Sequence, residues 1–267
     1  MVFYSVPIYK SLLKHSKPWK VAGNVGIFDK NLSQAPDLPN SAVSLQLGIP
    51  AGSKVLFFAA SYGDWANALS QTTELTYADV SKSMVSYAKR RFNGKGIKKF
   101  TVADALLWPK RGEFDYLVSY VPIPLKERLP LIVLRALALA KGIRILSPGS
   151  IDAALFRQYD PRARVEKIKI PTTDGIVKMP VFFADSSVKT RFKAKVDLAA
   201  IGFLQGKEKT TVEKIRKELQ RKGLGATKND IRNSLKRICR LSFEIHGLLT
   251  NFGFEDHPAI KVVEVTP

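Results

Sequence analysis

Cysteine and acidic residues are both scarce in this chain. Its 267 residues include a single cysteine, Cys239, and one thiol excludes an intramolecular disulfide, a cysteine-rich zinc site and a two-cysteine redox centre. Only 23 Asp and Glu stand against 43 Lys and Arg, so the formal net charge is +20. This charge favours a polyanionic partner, because binding a polyanion relieves the repulsion and releases its counterions. Nucleic acid is the partner we expect.

Long hydrophobic runs are absent too. No apolar stretch approaches the roughly 20 residues that span a bilayer, and the best candidate, residues 129–146, is interrupted by Arg135, Lys141 and Arg144. The first 20 residues contain four lysines and no compact apolar segment, so we expect no signal peptide. These features predict a cytoplasmic protein without a membrane partner.

The few histidines carry no recognisable chemistry. His15, His246 and His257 have neither the spacing of metal ligands nor a neighbouring serine nucleophile motif, and no phosphate-binding loop or zinc-protease motif occurs. We therefore expect no metal site. Cys239 is predicted to be a small core residue.

From residue 54 onward, short apolar runs alternate with helical patterns. The runs predicted as strands are residues 54–58, 74–78, 98–102, 114–120 and 143–146. This alternation predicts an α/β fold with a doubly wound, mostly parallel sheet covered on both faces. An Asp-Gly pair in residues 172–175 separates two further apolar segments, which predicts an antiparallel hairpin at the end of the sheet.

Composition divides the chain into three parts. Residues 1–50 are rich in proline and are predicted to form an irregular extension with one short helix at 8–13; residues 51–186 form the α/β domain. Residues 187–267 form a C-terminal domain after a polar, basic linker at 186–195. This last part contains 17 basic and 9 acidic residues, a net charge of +8, which leaves +12 for the rest.

The C-terminal part resembles a winged helix. Three helices are predicted at 196–204, 211–221 and 227–241, followed by two strands of a wing at 243–250 and 259–266. The third helix is predicted to direct polar and basic side chains toward nucleic acid: Lys228, Asn229, Arg232, Asn233, Lys236 and Arg237. A solvated basic face and a protein-docking module are the alternatives.

Three features predict a nucleotide site at the carboxyl edge of the sheet, where strand order reverses. Four small residues follow the first strand and would allow close approach of a ligand: Ala59, Ala60, Ser61 and Gly63. Asp79 ends the second strand, where it could accept hydrogen bonds from ribose hydroxyls. Asp104 follows the third strand, where it could meet an exocyclic amine.

At these residues the chain resembles the class I S-adenosylmethionine-dependent methyltransferases. Residues 77–89 are similar to the second motif of that family and residues 102–109 to its third, within a match over 54–184, about half of the chain. The resemblance implies S-adenosylmethionine as cofactor. It assigns the ribose to Asp79 and the adenine amino group to Asp104.

The first motif of that family is altered. Phe57 stands where the family has an acid, Ala59 and Ser61 replace two glycines, and Gly63 is the glycine that remains. An alternative therefore stays open, in which the fold is retained and cofactor binding is lost.

The loop after the fourth strand supplies the catalytic candidates. Ser119, Tyr120 and Pro122 partly match the polar, proline and aromatic motif of amino-group methyltransferases. Such a loop could orient an amine for in-line transfer. A proline-rich turn without catalytic function is the alternative.

Because positive charge is spread over both halves, structured RNA is favoured over DNA. The sequence thus predicts a methyltransferase-like protein that acts on or binds structured RNA, such as ribosomal or transfer RNA, with the ribosome as a candidate partner. The alternative is a non-catalytic, ribosome-associated or DNA-binding factor.

Overall fold

A computed structural model of the chain describes most of its residues. The described parts are residues 2–7, 40–58, 63–79, 81–92, 96–103, 114–120, 129–146, 152–172, 175–251 and 260–266. Ten strands lie in these parts: β1 Val2–Pro7, β2 Lys54–Phe58, β3 Glu74–Asp79, β4 Lys99–Val102, β5 Tyr116–Tyr120, β6 Gly142–Leu146, β7 Arg164–Thr172, β8 Gly175–Asp185, β9 Lys209–Thr211 and β10 Ile260–Thr266. Eight helices accompany them: α1 Asn40–Gln46, α2 Asp64–Ser70, α3 Lys82–Phe92, α4 Leu129–Leu139, α5 Ala153–Phe156, α6 Val188–Leu204, α7 Val212–Arg221 and α8 Lys228–Asn251.

Seven strands form the large sheet, in the order β4-β3-β2-β5-β6-β8-β7. The first five of these are parallel to one another, which confirms the predicted doubly wound sheet. β2 shows why the prediction worked, because its four apolar residues are all buried. Leu56 and Phe58 pack into the core on one face of the sheet. Val55 and Phe57 pack into the core on the other.

The predicted hairpin at the end of the sheet is also confirmed. β7 and β8 pair antiparallel from Arg164 opposite Phe183 to Thr172 opposite Gly175. β8 also pairs antiparallel with β6, so it lies between β6 and β7. Gly175 has a φ of 124°, a conformation that glycine adopts without strain.

Helices cover both faces of the large sheet. Buried residues of α1, α2 and α3 share one core with the sheet. On the other face, α4 packs with the C-terminal helices in a second core that continues into β1 and β10. The C-terminal helices are therefore packed against the α/β part through an apolar core.

Residues 2–7 correct the prediction of an irregular N-terminal extension. They form β1, which pairs antiparallel with β10 from Val2 opposite Val265 to Pro7 opposite Ile260. β10 pairs with β9 on its other side, in parallel, which gives a small three-stranded sheet. A strand whose partner lies more than 250 residues away leaves no local trace of that pairing in the sequence. The helix predicted at 8–13 lies outside the described residues.

Two predictions for the C-terminal part are wrong. Residues 243–250, predicted as the first strand of a wing, belong to α8, because no proline interrupts the helix there and its buried face runs through Ile238, Leu241 and Ser242. Residues 188–195, predicted as linker, form the first half of α6, which Ser187 caps by accepting a hydrogen bond from Thr190 N. Among the described helices, none is long and apolar enough to cross a membrane.

Candidate functional site

The site begins at the carboxyl edge of the large sheet, where strand order reverses between β2 and β5. Phe58, the last residue of β2, lies opposite Ala78 of β3 on one side and opposite Ser119 of β5 on the other. Asp79 follows Ala78 directly. Since adjacent strands are about 4.8 Å apart, Asp79 and Ser119 lie on either side of the end of β2. This is the position where doubly wound sheets bind their ligands.

Asp79 is the described acid at this edge. Asp79 is buried, with 7% of its surface exposed. Its Oδ1 accepts a hydrogen bond of 2.8 Å from the backbone amide of Ser81. That bond orients the carboxylate at the turn between β3 and α3. Burial raises the pKa of the nearby Tyr77 phenol well above its ordinary value, and the charge of Asp79 adds to the shift. A buried carboxylate held in this way is suited to accept hydrogen bonds from a ligand.

Gly63 is required by the backbone at the start of α2. Its φ of 91° lies in the left-handed region, and its carbonyl accepts a hydrogen bond from Asn67 N. A Cβ atom at Gly63 would lie 3.1 Å from the ring of Phe92 and 3.3 Å from Cβ of Ala88. The glycine retained from the altered motif thus allows α3 to pack closely against this turn.

The remaining predicted site residues at this edge are described only in part. Ser119 is 2% exposed, so its side chain is buried. The backbone of Tyr120 ends β5 opposite Leu146. Five predicted residues lie outside the described parts: Ala59, Ala60, Ser61, Asp104 and Pro122. The catalytic assignment stays a prediction.

A reciprocal cap lies at the start of α8. Thr227 Oγ1 accepts a hydrogen bond from Asp230 N, and the Asp230 carboxylate accepts one from Thr227 N, a reciprocal capping arrangement. These bonds lower the pKa of Asp230. Five side chains of the predicted nucleic-acid face are exposed: Lys228, Asn229, Arg232, Asn233 and Lys236. Their contact with nucleic acid stays a prediction.

Arg237 corrects the sixth assignment on this face. Its guanidinium does not project outward, because Nε and Nη2 donate to the two carboxylate oxygens of Asp197, each at 2.7 Å. The side chain of Asp197 is fully buried and that of Arg237 is 12% exposed. Tyr159 Oη donates to the same carboxylate at 2.5 Å. Arg237 therefore connects α8 to α6 and to the turn after α5.

The buried cluster of Tyr159, Asp197 and Arg237 has shifted protonation equilibria. Burial raises the pKa of the Asp197 carboxyl, an effect that the hydrogen bonds from Arg237 oppose. Burial also raises the pKa of the Tyr159 phenol well above its ordinary value, and the charge of Asp197 adds to this. Because Tyr159 and Arg237 both donate to Asp197, the cluster holds α8 against α6. Asp197 and Tyr159 were missed in the sequence because their partners lie 38 to 40 residues away.

The described sheet and its edge define a class of protein. The sheet is mixed and parallel-rich, helices cover both faces, and a buried acid ends the strand beside the reversal point. This architecture is that of a Rossmann-like, doubly wound α/β fold.

Comparisons with known proteins give distant matches to solved structures. No family model and no curated protein matches the chain. Among solved structures, it is similar to the SAM-bound magnesium protoporphyrin IX methyltransferase of Synechocystis PCC 6803, with 16% identity, a TM-score of 0.42, and coverage of 55% of this chain and 77% of that one. TrmN from Thermus thermophilus gives 21% identity and a TM-score of 0.42 over 55% of this chain, which spans about half (48%) of TrmN. The N-methyltransferase NodS from Bradyrhizobium japonicum WM9 gives 15% identity and a TM-score of 0.41, covering 55% of this chain and 93% of that one.

Proposed function

We propose that this protein is an S-adenosylmethionine-dependent methyltransferase-like protein that acts on or binds structured RNA, such as ribosomal or transfer RNA. The observation that carries the proposal is the buried carboxylate of Asp79 at the end of β3, beside the reversal of strand order. An acid in that position suits the ribose of a nucleoside cofactor, as the resemblance to class I methyltransferases implies.

The residues at the sheet edge fit such a cofactor. Asp79 would hold the ribose hydroxyls, since the bond from Ser81 N already orients its carboxylate. Gly63 keeps the turn before α2 close to α3. S-adenosylmethionine supplies an electrophilic methyl group when bound. The contribution of the chain is to bind and orient the cofactor and to exclude water.

The charge distribution supports an RNA partner. The net charge of +20 extends over both halves of the chain, as expected when a large folded polyanion covers them. The exposed start of α8 presents Lys228, Arg232 and Lys236 beside Asn229 and Asn233. Lysines suit phosphates, while Arg and Asn also suit base edges.

Calorimetric titration with S-adenosylmethionine tests the cofactor site. We expect the wild-type protein to bind and Asp79→Asn to bind at least about 10-fold more weakly, because charged hydrogen bonds to ribose would be lost. Glu74→Gln is the matched control, since Glu74 is the exposed residue at the opposite end of the same strand. Absence of wild-type binding at millimolar cofactor would refute a cofactor-dependent function.

The RNA contact has a separate test. In filter binding across a range of salt concentrations, Arg232→Ala combined with Lys236→Ala should weaken RNA binding. The slope of the logarithm of the affinity against the logarithm of the salt concentration should fall in magnitude by about 1 to 2. An unchanged affinity and slope would show that α8 does not contact RNA.

A non-catalytic RNA- or DNA-binding factor is the second candidate. The observation that favours it is Phe57, which is fully buried in β2 where class I methyltransferases have an acid. RNA or DNA binding by a protein that does not bind S-adenosylmethionine would establish this candidate over the first.

A further inference from the structure

A basic cavity lies between the end of α6, β9 and α7. Its volume is about 460 Å³, within the range of sites that hold small ligands. An aromatic residue, a hydroxyl residue and several lysines line it: Phe203, Thr210, Lys207, Lys209, Lys214 and Lys217. It is built from residues other than those of the exposed face of α8.

Helical spacing places three basic residues of α7 on one side. Lys214, Lys217 and Arg221 follow one another at intervals of three and four residues and all line the cavity. The buried side of the same helix carries Val212, Ile215 and Leu219, which pack into the core. The core contact thus fixes the direction in which the cationic side faces.

Only part of the positive charge of the cavity is neutralised. Lys209 pairs with Glu264 at 3.0 Å, and Arg221 pairs with Glu218, the acid in the cavity wall, at 3.0 Å. Within the described part of the chain, Lys207, Lys214 and Lys217 form no ion pair. Three ammonium groups around one concave surface repel one another, and an anion would relieve that repulsion.

Two further wall residues indicate what kind of anion fits. Thr210 is 3% exposed, and its hydroxyl has no hydrogen-bond partner among the described residues. Turning this hydroxyl toward a ligand would break no existing bond. Phe203 provides an aromatic surface, and the Lys207 ammonium lies over its ring, 5.5 Å from the centroid, so a base that stacks there takes the place of the ammonium. An aromatic ring beside cations is the arrangement that binds single-stranded nucleotides by stacking and charge.

We propose that this cavity binds one unstacked nucleotide of single-stranded or looped RNA. The phosphate lies against Lys214 and Lys217, and the base lies against Phe203. The inference rests on the proposed RNA partner and adds a second contact to it, separate from the face of α8. It does not depend on S-adenosylmethionine.

Fluorescence anisotropy with a labelled single-stranded RNA of about ten nucleotides tests the cavity in the full chain. Lys214→Ala with Lys217→Ala should weaken binding at least about 10-fold. The matched control is Lys189→Ala with Lys195→Ala, which removes the same charge from exposed positions of α6 and should change binding less than about 3-fold. Equal effects of the two double variants would overturn the cavity proposal and leave RNA binding itself intact.

The aromatic contact is tested by Phe203→Leu, which retains apolar volume. It should weaken binding about 5-fold or more, because stacking on the ring is lost. Phe243→Leu is the control, since Phe243 is 66% exposed on α8 and lies outside the cavity wall. An unchanged affinity in Phe203→Leu would contradict a base in the cavity.

Thr210→Val separates binding from folding. Removing a buried hydroxyl that has no partner should leave the melting temperature equal or higher and should still weaken RNA binding. Wild-type affinity in a folded Thr210→Val protein would exclude the hydroxyl from the contact. If the wild-type chain binds no RNA at all, the RNA part of the proposed function and this inference both fail.

Discussion

The two sheets of this protein are assembled in opposite ways. In the large sheet, β2 and β3, and later β5 and β6, are neighbours both along the chain and in space. In the small sheet, residues 2–7 pair with 260–266, and these in turn pair with 209–211. The large sheet is built mainly from local units. The small one closes the two ends of the chain on each other.

This difference separates two kinds of site. The first site, at the carboxyl edge of the large sheet, follows from the strand order, which reverses between β2 and β5. A buried acid at that position suits a nucleoside ligand. The basic cavity borders β9 of the small sheet and is shaped by tertiary packing of α6 and α7. Under the proposed function the first region would hold a cofactor and the second would contact RNA, and the apolar core that contains the C-terminal helices also reaches the large sheet.

The largest expected effect comes from the cluster that fastens α8 to α6. Asp197→Ala leaves the guanidinium of Arg237 without its carboxylate in a buried position, so the free energy of unfolding should fall by about 3–5 kcal/mol. Urea denaturation followed by circular dichroism measures the loss. Since one core joins the C-terminal helices to the large sheet, we expect a single transition.

Glu213→Ala is the control for this variant, because Glu213 pairs with Arg216 at the surface of α7. It should change stability far less than Asp197→Ala. Two separate transitions in the Asp197→Ala protein would show that the helices and the large sheet are energetically independent.

The small sheet is tested by two substitutions in one strand. Val6 is fully buried, whereas Val2 is 48% exposed. Val6→Ala should therefore lower the free energy of unfolding by about 2 kcal/mol through lost burial and a residual cavity. Val2→Ala should change it by less than about 0.5 kcal/mol. Equal effects would mean that β1 is not packed in the core.

A smaller effect is expected in the large sheet, at the start of β5. The carboxylate of Asp115 accepts hydrogen bonds from Lys141 Nζ at 2.7 Å and from Lys54 N at 3.0 Å. These lower its pKa below the ordinary value of 3.8, with the bond from Lys141 contributing most. Stability from this group is present above that ordinary value and is lost as the pH falls through the lowered pKa of the folded state.

Asp115→Asn should therefore lower the free energy of unfolding by less than about 1 kcal/mol near neutral pH, because the pair is partly exposed. Below both pKa values the variant and the wild type should be equally stable. Denaturation curves across the acid range check this, and a difference that does not depend on pH would contradict the assignment.

The sequence predicts best those features whose cause is local. The buried run of β2 can be predicted because a strand covered on both faces must be apolar throughout. For the same reason, the acid that follows the apolar residues of β3 marks the end of that strand. The cap of α8 also has a local cause, since Thr227 and Asp230 lie within one turn.

Other features depend on partners far along the chain. Nothing near Val2–Pro7 specifies β10, and nothing near Arg237 specifies Asp197 on another helix. Periodicity places a charged residue on the solvent side unless its partner is known, which is why Arg237 was assigned outward. The cavity was missed for a different reason: its wall lies within residues 203–221, but only the packing of α6, β9 and α7 makes that surface concave.

Hydrogen–deuterium exchange of the full chain with and without S-adenosylmethionine tests the central claim most directly. We predict slower exchange on binding in peptides that contain Gly63 and Asp79, at the carboxyl edge of the large sheet, and no change in residues 2–7 and 260–266. Unchanged exchange around Gly63 and Asp79 at saturating cofactor, or protection confined to the small sheet, would contradict the account.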